Sequence, residues 1–365
     1  MRKITLFILL SLCLSNILLI ADAQSEQYPI ISAENITALQ SIQTYDFDDL
    51  PAGVMPAVGL FAVNQDATKV VTFGRYDNTP PLSLAILWGY AQSPIVNQID
   101  DGSIARVLSN DGRCLYTGYR EYFAVWELQT DEEMAHLVYR SPSFVGDAVN
   151  NIWVEEDNNQ TSDPCPTQVY AEFIAADGTM YVVDYEGDII QSQLFPHEDD
   201  DQIFARVGRI DPPLALTVTS DGVIWRWNML TNTVEDMIEA GGVATYGAMN
   251  RAGTHYVWLG QDYSGLYIVD WVNGINRLLA PLNGVYISHL DISADGSVVL
   301  GTDPEDDEGT VSAWLVETGE RLNLGPYRDC DRTQPDQVEL SRDGTALVIG
   351  CDRGIDIWRV LESES

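Results

Sequence analysis

The residues of this chain best suited to chemistry are carboxylates and phenols rather than imidazoles. Two acidic runs, Glu198 to Asp201 in "PHEDDD" and Asp303, Glu305, Asp306, Asp307 and Glu308 in "DPEDDEG", concentrate hard oxygen ligands. Ca2+ gathers about six to eight such oxygens, so it is carried as a candidate partner. Neither run has the alternating carboxylates and central glycine of a calcium loop, and no metal ligand set is assigned. Tyrosines stand near other acids, at Tyr76 beside Asp77, Tyr263 beside Asp262, and Tyr119, Tyr122 and Tyr327. A carboxylate beside an aromatic ring suits a basic peptide, a cation or a sugar ring, because the ring face attracts positive charge and offers apolar area. The four histidines, His136, His197, His255 and His289, are scattered along the chain. There is no Gly-x-Ser-x-Gly nucleophile turn, no phosphate-cradling glycine loop and no His-Glu-x-x-His. No catalytic residue and no cofactor are therefore assigned, and binding is the expected activity.

Something must hold these residues in place, and the chain supplies a repeated unit. An alternating strand, a tight turn often written Asp-Gly, a second apolar strand ending near Gly, a third strand often carrying Trp, and a fourth strand recur. The clearest copies are "IARVLSNDGRCLYTGYREYFAVWELQTDEEMAHLVY" (104 to 139) and the stretch from "ISHLDISADGSVVLGT" to "TVSAWLVETGERLNLG" (287 to 325). First strands are expected from Val58, Ile104, Ile152, Phe204, Ala244, Ile287 and Asp336, a mean spacing of about 46 residues. Period-2 alternation is common, as in Val223, Trp225 and Trp227 against Ile224, Arg226 and Asn228, whereas helical periodicity is nowhere sustained. Four short strands per unit, repeated seven times, predict an all-β, seven-bladed propeller. The last unit runs out after its third strand, Ile355 to Val360, while "ITALQSIQTY" (36 to 45) has no unit of its own. The early segment is expected to complete the last blade, with residues 24–35 preceding the propeller, 36–360 forming it and 361–365 as a tail.

The unit resembles that of the WD40 family in its Asp-Gly turn, in its second strand ending in Gly, and in the third strands "VWEL" (125 to 128), "IWRW" (224 to 227), "AWLV" (313 to 316) and "IWRV" (357 to 360). The resemblance covers about residues 36 to 360 and rests on seven copies in register. It departs from the family in having no Gly-His pair before the first strand. Asp77, Asp262, Asp303 and Asp352 stand where the family places a turn aspartate, and the plain reading is that they stabilise turns through side-chain to backbone bonds. The resemblance implies a docking platform without chemistry. In a propeller, loops from second to third strands, and from fourth strands to the next blade, open on one face. That sorting gathers Tyr76, Asp77, Tyr119, Tyr122, Asp262, Tyr263, Asp303, Asp306, Asp307 and Tyr327 into one acidic, tyrosine-bearing surface, the expected site for a protein or peptide partner of basic character. The alternative is a metal-dependent propeller hydrolase with its site near the central channel, for which His289, on a first strand, is the residue to test.

Four cysteines follow residue 23, at 114, 165, 330 and 351, without a CxxC pair. Four cysteines allow three connectivities. Cys165 lies in an insertion of the third unit at the same face as Cys114 in the second, which favours a Cys114 to Cys165 bridge. Cys330 precedes the first strand of the last unit and Cys351 follows its second, so antiparallel pairing favours the other bridge.

Arg2 and Lys3 precede an apolar run, Ile4 to Ile20, and Ala21-Asp22-Ala23 supplies small residues for a signal peptidase. Cleavage before Gln24 and a secreted or periplasmic destination are expected. Lipidation at Cys13 is disfavoured because Leu12 stands where a small residue is needed. Residues 1–23 carry two of the 19 basic and one of the 55 acidic residues, so cleavage takes the net charge from −36 to −37, with Lys69 the only lysine left. Such a surface disfavours nucleic acid and anionic membranes as partners, since both require positive charge on the protein. No stretch after the signal segment is apolar enough to insert into a bilayer. "NIT" (35 to 37) and "NQT" (159 to 161) match the glycosylation sequon.

Overall fold

Alternating β-branched and aromatic residues, punctuated by Asp-Gly and Gly turns, give strands throughout. The computed structural model describes residues 28–76, 84–91, 93–99, 105–118, 122–130, 134–141, 149–154, 165, 169–174, 179–183, 189–194, 202–210, 213–219, 222–228, 231, 233–239, 244–250, 252–260, 263–283, 285, 287, 289–302, 311–324, 337–351 and 353–361. Among these, strand β1 (Leu39–Asp46) is followed by six four-stranded antiparallel sheets and three further strands. Sheet I holds β2 (Val54–Val63), β3 (Val70–Tyr76), β4 (Leu84–Trp88) and β5 (Ile95–Gln98). Sheet II holds β6 (Ala105–Leu108), β7 (Cys114–Gly118), β8 (Phe123–Glu127) and β9 (His136–Arg140). Sheet III holds β10 (Val149–Val154), β11 (Val169–Ile174), β12 (Thr179–Val183) and β13 (Ile189–Leu194). Sheet IV holds β14 (Gln202–Ile210), β15 (Pro213–Thr219), β16 (Val223–Asn228) and β17 (Thr233–Glu239). Sheet V holds β18 (Ala244–Met249), β19 (His255–Gly260), β20 (Gly265–Asp270) and β21 (Ile275–Pro281). Sheet VI holds β22 (His289–Ile292), β23 (Val298–Thr302), β24 (Val311–Leu315) and β25 (Arg321–Leu324). Sheet VII is β26 (Gln337–Leu340), β27 (Ala346–Cys351), β28 (Gly354–Val360) and, beside β28, β1. Every first strand begins within four residues of its expected start.

β1 runs antiparallel to β28, with Leu39 opposite Val360 and Tyr45 opposite Ile355, and a bulge between Ser41 and Gln43. The early segment thus pairs with the last strand as expected, except that its first residues, Ile36–Ala38, form a 3-10 turn. The stretch ahead of it is also built in. The Ile31 N–H donates to the Gly344 carbonyl (2.8 Å), and the Ala33 N–H to Ser297 Oγ (2.9 Å). Ile31 and Ile36, each 1% exposed, join Leu300, Leu347 and Ile349 between sheets VI and VII. Their spacing follows neither strand nor helix period, so the sequence pattern carries no sign of this packing. The sequon residue Asn35 uses its side chain locally, donating to the Ile30 carbonyl and accepting from the Ser32 N–H.

The turns between first and second strands are a repeated device. In Ser109-Asn110-Asp111-Gly112, the Asp111 carboxylate accepts from Ser109 Oγ (2.7 Å) and the Arg113 N–H (2.9 Å), and Ser109 Oγ accepts from the Cys114 N–H (2.9 Å). Ser293 with Asp295, and Ser341 with Asp343, repeat the pattern. The fourth position has positive φ, 73° at Gly112 and 74° at Gly296 and Gly344, which explains the recurring Asp-Gly. These turns also join sheets: Asn64 Nδ2 donates to the Asn110 carbonyl (3.1 Å), Asn250 Nδ2 to Ala294 (3.1 Å), and the Asp343 N–H to Gln65 (3.1 Å).

The recurrent third-strand tryptophan is anchored in three sheets by a second-strand threonine. Trp88, Trp126 and Trp227 each donate Nε1–H to Thr72, Thr117 and Thr217 Oγ1, all at 2.9 Å and buried. Thr117→Val keeps the shape and strands the indole N–H, so a loss of about 1–3 kcal/mol is expected in urea unfolding, with Thr117→Ser retaining most of the stability. Apolar side chains then pack sheet on sheet: Phe73 and Leu87 with Leu115 and Trp126 (I and II), Ile86 with Val348 and Ile357 (I and VII), Leu259 with Ile292 and Val299 (V and VI), and Leu216 with Trp258 (IV and V). β6 and β7 also touch β10 of sheet III. Sheets adjacent in the chain are therefore adjacent in space from IV through VII and on through I to III.

Candidate functional site

An antiparallel meander sends its second-to-third connection out of one end of the sheet and its first-to-second connection out of the other. Three of the expected site tyrosines are described, and all stand at the former end. Tyr76 closes β3 and is 45% exposed. Tyr122 precedes β8, half-buried, with the Arg140 guanidinium 4.4 Å from its ring centre. Tyr263, between β19 and β20, is half-buried against the cluster of sheets V and VI and has φ of 52°. Tyr122 and Tyr263 are thus packed against the protein, because an aromatic ring gains by covering apolar area or a guanidinium. Asp77, Tyr119, Asp262, Asp303, Asp306, Asp307 and Tyr327 lie outside the described residues, as do the acidic run 198–201 and Asp352.

Among the histidines, His136 is exposed on edge strand β9, 3.9 Å from Glu127. His255 has hydrogen-bond partners at both ring nitrogens: Nε2 lies 3.4 Å from Asp270 Oδ2 and Nδ1 lies 2.9 Å from Thr254 Oγ1. Acid, imidazole and hydroxyl follow one another as in an acid–base relay. The ring is walled in, however, since a Cβ at Gly296 of the next sheet would come within 2.4 Å of Nδ1, and Thr254 Oγ1 is held by Asn250 Nδ2 at 2.9 Å. The constellation packs sheet V against the turn of sheet VI. Burial pushes the Asp270 carboxyl up, but hydrogen bonds from the Asn273 side chain and N–H and from the Val272 N–H, with the charge of the His255 ring, outweigh it and hold the group below its ordinary value.

His289 opens β22, opposite Thr302, and burial lowers its pKa from the usual 6.5. Two residues on, Asp291 Oδ2 accepts the Leu340 N–H of β26 at 2.7 Å and ties the inner strands of sheets VI and VII. Among the described residues, no three His, Cys, Asp or Glu side chains converge to hold a metal. The unfolded chain protonates His289 more readily than the folded one, so stability present above pH 6.5 is lost as pH falls from there through the lowered folded value. Thermal unfolding followed by circular dichroism is expected to show that decline for the native chain and a flatter profile for His289→Gln.

Cys114, at the start of β7, is bonded to Cys165 with a Cα separation of 5.7 Å, as expected. Cys351 is also disulfide-bonded. Its expected partner, Cys330, lies outside the described residues.

The site that the sequence pattern did not point to is a groove of about 470 Å³ where β1 and β28 face sheet I. Tyr28, Gln43, Tyr45, Trp88, Ser93 and Arg359 are among its lining residues. Tyr45 and Trp88 lie 5.4 Å apart, tilted by 35°, and burial raises the Tyr45 phenol so that it stays a donor at neutral pH. The available signal was Arg359 itself, which shares a strand face with the core residues Ile355 and Ile357, where alternation calls for an apolar side chain. No protein family model and no curated protein sequence matches the chain.

Proposed function

We propose that this chain is an exported, seven-bladed, WD40-like propeller, closed by the pairing of β1 with β28, that binds a basic protein or peptide without catalysis. Support for the ring comes from the seven four-stranded sheets, from the shared first and last strands in sheet VII, and from sheet neighbours that follow chain order. Only the junction of sheets III and IV is needed to complete it, and those sheets are consecutive in the chain. Export rests on the signal-like residues 1–23 and is favoured by disulfide bonding. Among the described residues, no helix is long and apolar enough to cross a membrane.

One observation carries the binding reading: Tyr76, Tyr122 and Tyr263 stand at the same end of three different sheets in a chain of net charge −36. Aromatic rings on a negative field attract Lys and Arg side chains and quicken their approach. Fluorescence anisotropy with a Lys/Arg-rich peptide and its Glu-rich counterpart tests it. The basic peptide is expected to bind, more weakly at high salt, and Tyr76→Ala combined with Asp77→Asn is expected to weaken it about tenfold. Equal binding of the acidic peptide, or no binding of either, would sink the proposal. Titration calorimetry with Ca2+ after chelation separately decides the metal, and a flat trace removes it as a partner.

A further inference from the structure

We propose that the groove between the β1–β28 pair and sheet I is a binding site for an acidic sugar, a hydroxyl-bearing ring that carries a carboxylate. Arg359 is 3% exposed, yet it lines the groove. Its Nη1 donates to Thr345 Oγ1 (3.1 Å) and its Nη2 to the Asp66 carbonyl, both uncharged acceptors, and its Nε has no hydrogen-bond partner. Among the described residues it makes no ion pair, in a chain with 55 acidic and 19 basic residues. A buried guanidinium without a counter-charge is costly, and acids are abundant enough here that one within reach would be the simple remedy. The nearer carboxylates of this seam are held by hydroxyls and amides: Asp356 accepts from Thr44 Oγ1 at 2.5 Å on the opposite face of β28, Asp66 accepts from Asn64 and Thr68, and Asp343 accepts from Ser341 Oγ and from Thr345 Oγ1 at 2.8 Å, one hydroxyl away from Arg359; Asp49 stands exposed on the groove rim. The missing anion is therefore assigned to a ligand.

The rest of the lining specifies the ligand's body. Tyr45 and Trp88 form an aromatic wall, and the Tyr28 ring lies over the Arg359 guanidinium at 4.3 Å. Apolar ring faces stack on such surfaces. Gln43 and Ser93 supply an amide and a hydroxyl, and Asp49, exposed on the rim, supplies acceptor oxygens. Those groups match a ring carrying several hydroxyls better than a bare aromatic acid. The volume, about 470 Å³, lies within the range of small-molecule sites, about 300–1,000 Å³.

Titration calorimetry and saturation-transfer NMR on the whole chain from Gln24 onward, with galacturonate, galactose and benzoate, test this. Galacturonate is expected to bind with a Kd of about 1 mM or tighter, and galactose and benzoate each about tenfold more weakly. Arg359→Gln is expected to reduce galacturonate affinity about tenfold; should that variant fail to fold, Ala91→Trp, on the exposed groove wall, decides. Ala91→Trp is expected to fill the groove and abolish galacturonate binding while the circular dichroism, melting temperature and basic-peptide binding stay as in the native chain. Benzoate binding in preference to galacturonate overturns the sugar assignment. Equal binding of galactose, binding that survives Ala91→Trp, or no binding at all overturns the site.

Discussion

A chain that begins at Phe47 is expected not to reach the native state, and residues 28–46 added as a separate peptide are expected to restore it. Without them β28 loses seven paired residues and keeps a bare edge beside Tyr45's former place. Ile31, Ile36 and Leu39, exposed by 1%, 1% and 8%, would also leave the cluster of sheets VI and VII. Burying three such side chains is worth about 5–9 kcal/mol, comparable to the total stability of about 5–15 kcal/mol of a typical domain. Near-UV circular dichroism and urea unfolding are the readouts. A milder probe of the same contact is Gly354→Val, because a Cβ there comes within 2.4 Å of the Tyr45 carbonyl oxygen. A truncated chain that unfolds at the native urea midpoint would show that the pairing of β1 with β28 is dispensable.

Replacing Cys114 and Cys165 together by alanine is expected to lower the unfolding free energy by about 4 kcal/mol, from the loop closure lost across a sequence separation of 51 residues. Both cysteines are buried, at 0% and 3% exposure, so the bridge is out of reach of mild reductant and the double variant is the cleaner measurement. The bridge joins β7 of sheet II to a residue shortly ahead of β11 of sheet III, and hydrogen exchange is expected to quicken first in β10 and β11. Coincident denaturation curves for the native chain and the variant would contradict this.

Strand positions and turns were legible because their causes are local. The alternation in Val223 to Asn228, and the Asp-Gly pairs whose glycines have positive φ, depend only on neighbouring residues, and the repeat at about 46 residues multiplied a modest signal into seven consistent copies. The Cys114 to Cys165 bridge was legible for a related reason: once the units are in register, the ends of adjacent sheets are known. The inter-sheet use of the Ser-Asp turns and the anchoring of Trp88, Trp126 and Trp227 by threonines were not, because both depend on which side chains meet across strands. His255 reads as an ordinary strand histidine in sequence, and only packing against the Gly296 turn gives it a fixed role.

By itself the amino-acid sequence determined that this is an all-β chain of repeated four-strand units, with an early strand reserved for the end and a surface dominated by acid. The tertiary structure decided that Ile31 and Ile36 belong to the core, that two of the expected site tyrosines lean on the protein, and that an arginine without an ionic partner among the described residues lines a groove. The reason is distance along the chain. Periodicity and turn chemistry are settled within a few residues, whereas the groove is lined by residues as far apart in the chain as Tyr28 and Arg359, brought together by the register of β1 on β28.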